Sequence, residues 1–276
     1  MRLSEVFKYY FVLILFLSAG CIQQKETNDF FPHMMSECKD RIVGQYDIAT
    51  FSEVDFPAPR LLLKKLPPRD AQEPIEIHNG DRLTRKVALT FDACSTLQPS
   101  RFDSAVAEIL IATQTPATIF LGGKWVLDRP KDAKFLASIP FFEIGNHAYL
   151  HGHLTKVSED RLKREILWTQ EIIYTVTGRI PKVFRPPYLE NNVQVTEAAA
   201  LLGLETICGD LPSGDPYEHA TKLRLIEGIR YQVQNGSIII MHINKGGKHT
   251  AKALPNIIQM LKEMGYKLVT VSQLLD

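Results

Sequence analysis

From Lys86 to the C-terminus, short β-branched or aromatic runs alternate with helix-length amphipathic stretches, a pattern that few folds besides a parallel sheet with crossover helices can satisfy. It predicts strands over 87–91, 117–121, 142–146, 183–184, 205–208, 237–241 and 267–271. Helices are predicted over 102–113, 133–138, 159–177, 195–202, 223–233 and 251–264. Ala105, Val106, Ile109 and Leu110 recur at helical spacing in the first of these. In the longest, Leu162, Ile166, Ile173 and Val176 form one stripe, Ser158 supplies a cap and Gly178 a stop, and this length argues against a β-sandwich. Seven such alternations predict one α/β domain of distorted barrel type, with about seven parallel strands over residues 86–276.

The first residues read differently. Arg2 and Lys8 precede an apolar core from Tyr9 to Leu17, followed by Ser18, Ala19, Gly20 and Cys21, the layout of an export signal over residues 1–20. The apolar run is about half of the roughly 20 residues that a spanning helix needs. Leu17-Ser18-Ala19-Gly20-Cys21 resembles a bacterial lipoprotein signal, which implies acylation of Cys21 and attachment to a membrane through lipid, with the domain in water. Cleavage after Ala19, leaving a soluble secreted protein, is the alternative. Residues 21–85 hold Pro57, Pro59, Pro67, Pro68 and Pro74 and few periodic runs, and read as a tether followed by an irregular extension packed on the main domain.

A formal net charge of +1 provides no basic surface of the kind that nucleic acid requires. With Cys21 set aside, Cys38, Cys94 and Cys208 remain, an odd number, so at most one pair can form in an oxidising compartment. Cys94 and Cys208 lie at or within apolar runs, where a core thiol competes with a disulfide.

Three histidines, His147, His151 and His153, follow the apolar run 142–146. One helical turn after Gly145 would place His147 and His151 on the same face, within reach of one divalent cation; a histidine-rich surface loop is the plainer reading. In a parallel α/β barrel, chemistry gathers at the C-terminal ends of the strands. The residues found there are Asp92, His147, His151, Arg185, Tyr188, Asp210, Asp215 and His242. Singly each has a structural reading as cap, surface ion pair or core histidine; together they supply the parts of metal-assisted hydrolysis.

In order and spacing, Leu89-Thr90-Phe91-Asp92, Glu143-Ile144-Gly145-Asn146-His147 with His151, Phe184-Arg185-Pro186-Pro187-Tyr188, Ser213-Gly214-Asp215 and Ile239-Ile240-Met241-His242 resemble the motifs of polysaccharide deacetylases, the fourth carbohydrate-esterase family. The resemblance implies hydrolysis of an N-acetyl or O-acetyl group on a glycan. It implies a divalent metal, with zinc the first choice, on His147 and His151, Asp92 as general base and His242 as general acid. Arg185 would orient Asp92, Asp215 would orient His242, and the Tyr188 backbone N–H would meet the oxyanion. Ile239 and Met241 would line a pocket for the acetyl methyl group, and His249 would contact substrate. With an export signal ahead of it, the glycan expected first is an envelope polymer such as peptidoglycan.

The chain departs from the family pattern where Ala93 follows Asp92 in place of a metal-binding aspartate. The centre then keeps two histidines with more waters, recruits Asp103, His153 or Cys94, or holds no metal. Pro216 and Leu189 also replace the usual aromatic residue and glycine. A barrel that binds glycan without deacetylating it is therefore the competing reading.

Overall fold

The computed structural model describes Pro59, residues 62–96 and residues 98–276. The predicted export signal, Cys21 and Cys38 lie outside the described residues. Within them are nine strands: β1 (Glu76–Ile77), β2 (Lys86–Ala93), β3 (Ala117–Leu121), β4 (Phe142–Asn146), β5 (Val183–Phe184), β6 (Glu205–Ile207), β7 (Leu211–Pro212), β8 (Ile238–His242) and β9 (Lys267–Val269). Eight α-helices accompany them: α1 (Ser104–Ala112), α2 (Gly123–Asp128), α3 (Pro130–Ser138), α4 (Glu159–Thr177), α5 (Val193–Leu201), α6 (Lys222–Gln232), α7 (Thr250–Glu263) and α8 (Val271–Leu275). Among the described residues no helix is long and apolar enough to cross a membrane.

The strands form one parallel sheet in the order β1-β6-β5-β4-β3-β2-β8-β7, with β9 also on β2. Ala88 pairs with Ile238 on one side and Val269 on the other, so β2 is flanked along its length and everything from Val87 to Ala93 is buried. An antiparallel bridge between Asn79 and Ser237 ties the segment after β1 back to β8, so the sheet curls into the expected distorted barrel. β1 and β7 went unpredicted; each has only two residues, one in a proline-rich stretch and one ending in Pro212.

Alternation along β2 sorts its side chains. Val87, Leu89, Phe91 and Ala93 join the large apolar cluster between sheet and helices. Ala88 joins a smaller cluster with Phe120, Val183, Ile207, Ile238 and Val269 inside the curl. Thr90 and Asp92 continue that inner face, so a polar column rises from an apolar floor. Helices α4, α5 and α6 begin where Ser158, Asn192 and Thr221 accept the N–H three residues on. Helix α4 ends at Gly178, whose φ of 77° closes the last turn without a Cβ clash. The described part of the extension runs over this layer: Lys64 N–H donates to Thr175 Oγ1, Arg69 to the Pro181 carbonyl and Gln72 N–H to the Ala200 carbonyl.

Gly145 is required by packing. A Cβ there would lie 2.5 Å from Cδ1 of Phe120, a fully buried ring inside the curl. Overpacking of this kind costs about 1–3 kcal/mol. Gly145→Ala should therefore lower the thermal midpoint by about 2–4 °C per kcal/mol lost. An unchanged melt would mean that Phe120 has room to move.

Candidate functional site

Asp92, His147, His151, Arg185, Asp215 and His242 leave from strand ends or the loops after them. Asp92 comes from the inner face of β2, and His242 is its register partner on β8. Arg185 follows β5 and is fully buried; its Nη1 donates to Asp92 Oδ1 at 2.9 Å and to Thr90 Oγ1 at 2.8 Å, and its Nε donates to the Ile207 carbonyl at 3.3 Å. The guanidinium carbon lies 4.2 Å from the centre of the Phe120 ring, a cation–π contact that supplements those bonds. Burial alone would push Asp92 upward in pKa. The Arg185 guanidinium, aided by His242, outweighs it and holds the carboxyl below its ordinary range.

The histidine loop does not form a helical turn. Positive φ at Ala148 and His151, 56° and 52°, curls the chain instead. The curl still brings the His147 and His151 ring centres to 5.1 Å. Glu165 on α4 holds it: Oε2 accepts the N–H groups of Tyr149 and Leu150, while Oε1 receives Arg161. Asn146 Oδ1 accepts the Ala148 N–H.

His147 Nδ1 lies 2.9 Å from the Arg185 carbonyl, which can only accept, so Nδ1 carries the proton and Nε2 the lone pair. That Nε2 is buried and has no hydrogen-bond partner; Asp92 Oδ2 stands 3.7 Å away. Burial lowers the pKa of His147, and burial with His147 alongside pushes His151 down to about 3, so both rings are neutral and able to ligate at pH 7. One nitrogen of each ring and the Cys94 sulfur lie within 4.8 Å of one another. Burial, reinforced by the Asp92 charge, pushes the Cys94 thiol up to about 12. These donors fit a divalent cation: an orphaned imidazole nitrogen, its tautomer set by a backbone carbonyl, faces a second imidazole and a sulfur.

On β8, beside Asp92, His242 Nδ1 bonds Asp215 Oδ1 at 2.9 Å. Asp215 Oδ2 accepts the His242 N–H and the Thr250 hydroxyl, and its carbonyl accepts the Lys248 N–H. Burial opposes protonation of His242, but the Asp215 carboxylate prevails and raises its pKa.

Other expected residues fall elsewhere. Ile239 and Met241 do not line the site: they alternate out of phase with His242 and belong to the cluster under the helices. Ile240 shares the face of His242 and Asp92. His249 is exposed, at the start of α7 with φ 60°, on the loop that holds Asp215. Asp103 stands at the start of α1, and its N–H bonds the Ile243 carbonyl. His153 is buried with its ring stacked on Tyr188 at 4.5 Å and Nδ1 on Glu190. Asp210 binds Arg82 and the Ile238 N–H. Tyr188 and Leu189 both have positive φ, 59° and 57°, so Leu189 occupies backbone space that suits glycine. Cys94 and Cys208 are free thiols. Sequence reasoning missed Thr90, Glu165, Asn244 and Thr250. Only Glu165 left a trace, as a carboxylate on the stripe of Leu162, Ile166 and Thr169.

A parallel α/β barrel with imidazoles, a carboxylate–guanidinium pair and a carboxylate–imidazole pair at the strand ends defines the class. The family profile for polysaccharide deacetylases matches residues 79–207. A peptidoglycan-N-acetylglucosamine deacetylase of Bacillus cereus is 33% identical over 195 residues, covering 67% of this chain and 66% of that protein. The crystal structure of the family 4 carbohydrate esterase domain of a multidomain xylanase, from the hindgut metagenome of Trinervitermes trinervoides, is 31% identical with a TM-score of 0.61, covering 68% of this chain and 88% of that one. A family 4 pseudoenzyme from Bacillus anthracis is 26% identical with a TM-score of 0.67, covering 74% and 70%; a mutant of it is described as having restored enzymatic activity. The chain belongs to the polysaccharide deacetylase family. It spans 27% to 66% of the length of several curated relatives.

Removing the Glu165 carboxylate strands two buried N–H groups, at about 1–3 kcal/mol for each unsatisfied donor. In Glu165→Ala, amide hydrogen exchange at Tyr149 and Leu150 should accelerate more than in the strands. Unchanged protection at both amides would assign the loop to another support.

Proposed function

We propose that the protein hydrolyses acetyl groups, N-acetyl before O-acetyl, from an envelope glycan of the N-acetylhexosamine type such as peptidoglycan. The observation that carries this reading is that Asp92 pairs with Arg185 and His242 with Asp215, with Asp92 and His242 side by side on neighbouring strands and Asp92 Oδ2 3.7 Å from Nε2 of His147. Simple sugar binding needs neither pair.

His147 and His151 would hold a divalent cation, zinc first, which when bound would supply Lewis-acid polarisation of the acetyl carbonyl. Asp92, kept ionised by Arg185, takes the proton of the attacking water. His242, protonated with the help of Asp215, returns a proton to the leaving nitrogen or oxygen. The Tyr188 backbone N–H meets the developing oxyanion, Ile240 borders the acetyl methyl group, and His249 meets glycan at the rim. Peptidoglycan deacetylases among the relatives support this substrate class. The signal-like segment 1–20 and Cys21 support export and a lipid anchor at the cell envelope, with residues 21–85 as tether and 86–276 as catalytic domain.

One observation favours a second reading. Ala93 is fully buried in the apolar cluster and offers no ligand atom, and a pseudoenzyme is among the structures this chain resembles. The protein would then hold glycan without cutting it.

Acetate release from N-acetylated chito-oligomers and peptidoglycan decides between them. Release that chelator and Asp92→Asn each abolish, by about a hundredfold or more for loss of the base, is expected; glycan retention with no acetate would favour the binder. A second outcome tests His242. Asp215→Asn removes the charge that raises its pKa, so the protonated form is lost at lower pH. The alkaline limb of the pH–rate profile should move down, and activity should fall more at pH values above neutrality than below. A limb that stays in place would remove His242 from the acid role.

A further inference from the structure

We propose that the Cys94 thiolate is the third protein ligand of the cation site, making a two-imidazole, one-thiolate centre that takes zinc and rejects magnesium. The inference rests on the deacetylase reading only in using His147 and His151 as the other two ligands.

Three observations converge. The Cys94 sulfur and one nitrogen of each imidazole lie within 4.8 Å of one another. Donors sharing one tetrahedral zinc sit roughly 3.3–3.6 Å apart, for Zn–N of about 2.0–2.1 Å and Zn–S of about 2.3 Å, so side-chain rotation of about an ångström closes the set. The buried Nε2 of His147 has no hydrogen-bond partner, which marks the space between the three as a place for an electron-pair acceptor.

Asn244 supplies the third. Its Oδ1 accepts the Gly246 N–H, so its amide nitrogen must face Cys94, 2.8 Å from the carbonyl oxygen and 3.5 Å from the sulfur. A buried donor aimed at sulfur favours a thiolate there.

Charge points the same way. Two neutral imidazoles bring no negative charge to a dication, and Asp92 is already committed to Arg185. A thiolate adds the missing anion one residue beyond Ala93, whose side chain turns into the apolar cluster. Asp103 and His153 do not join the cluster. Coordination exchanges the S–H bond for a sulfur–metal bond and releases the proton to solvent, with no change of oxidation state. Thiolate ligation selects zinc or cobalt over magnesium.

The test is titration of the metal-stripped chain with cobalt(II), followed by absorption. One equivalent should give visible ligand-field bands together with a near-ultraviolet sulfur-to-cobalt charge-transfer band, which zinc displaces and magnesium does not. Cys94→Ser should abolish the charge-transfer band and weaken cobalt binding by about 100-fold or more, since loss of a residue that only orients a ligand already costs ~10–100-fold. Cys94→Asp should bind metal without that band. X-ray absorption at the zinc edge of the unaltered protein, with a sulfur scatterer at about 2.3 Å, gives the same answer without any variant. Ligand-field bands with no sulfur signal would overturn the thiolate and leave the deacetylase reading standing. Failure to take up cobalt or zinc would overturn the three-ligand centre, while acetate release scores the deacetylase reading separately.

Discussion

The site depends on one buried cation. Arg185 carries a full charge where no water reaches it, and such a charge is tolerated only when its partners are close and well aligned. Asp92, Thr90 and the Ile207 carbonyl bond its Nη1 and Nε and the Phe120 ring lies against its face, leaving Nη2 alone without a partner among the described residues, and the same residue's carbonyl fixes the tautomer of His147. One residue therefore sets the ionisation of the carboxylate and frees the imidazole nitrogen that faces the candidate metal position. Removal of either partner would leave the other charged and buried, so the pair is also a structural commitment of the barrel.

Much of this was legible in the sequence. The strands 117–121, 142–146 and 183–184 and the helix 159–177 sit where their patterns put them, because short β-branched runs and a capped apolar stripe are local signals. Less legible were elements whose cause is tertiary or whose local signals conflict. Thr270 and Val271 read as the end of a strand, but Thr270 and Gln273 form a capping box that turns the chain into α8. Helix α2 went unpredicted; it opens at Gly123, where Thr169 and Tyr149 leave no room for a Cβ.

At the site, the order of the polar residues pointed to the right strand ends, and the structure gathers Asp92, Arg185, His147, His151, Asp215 and His242. Two differences are geometric. A left-handed curl held by Glu165, and not a helical turn, brings the histidines together. Ile239 and Met241, expected in the pocket, lie on the strand face away from His242. Asn244 and Thr250 were invisible because their partners, Cys94 and Asp215, are remote in sequence.

The pairing of Asp92 with His242 across neighbouring strands has a mechanical result. Their spacing is dictated by the hydrogen-bonded ladder, about 4.8 Å between strands, and not by any loop. Rim segments can therefore lengthen, shorten or change chemistry, and so alter which polymer docks, while the gap over which protons would travel stays the same. The barrel keeps the dimension that chemistry cannot surrender and leaves recognition to the parts that evolution can edit.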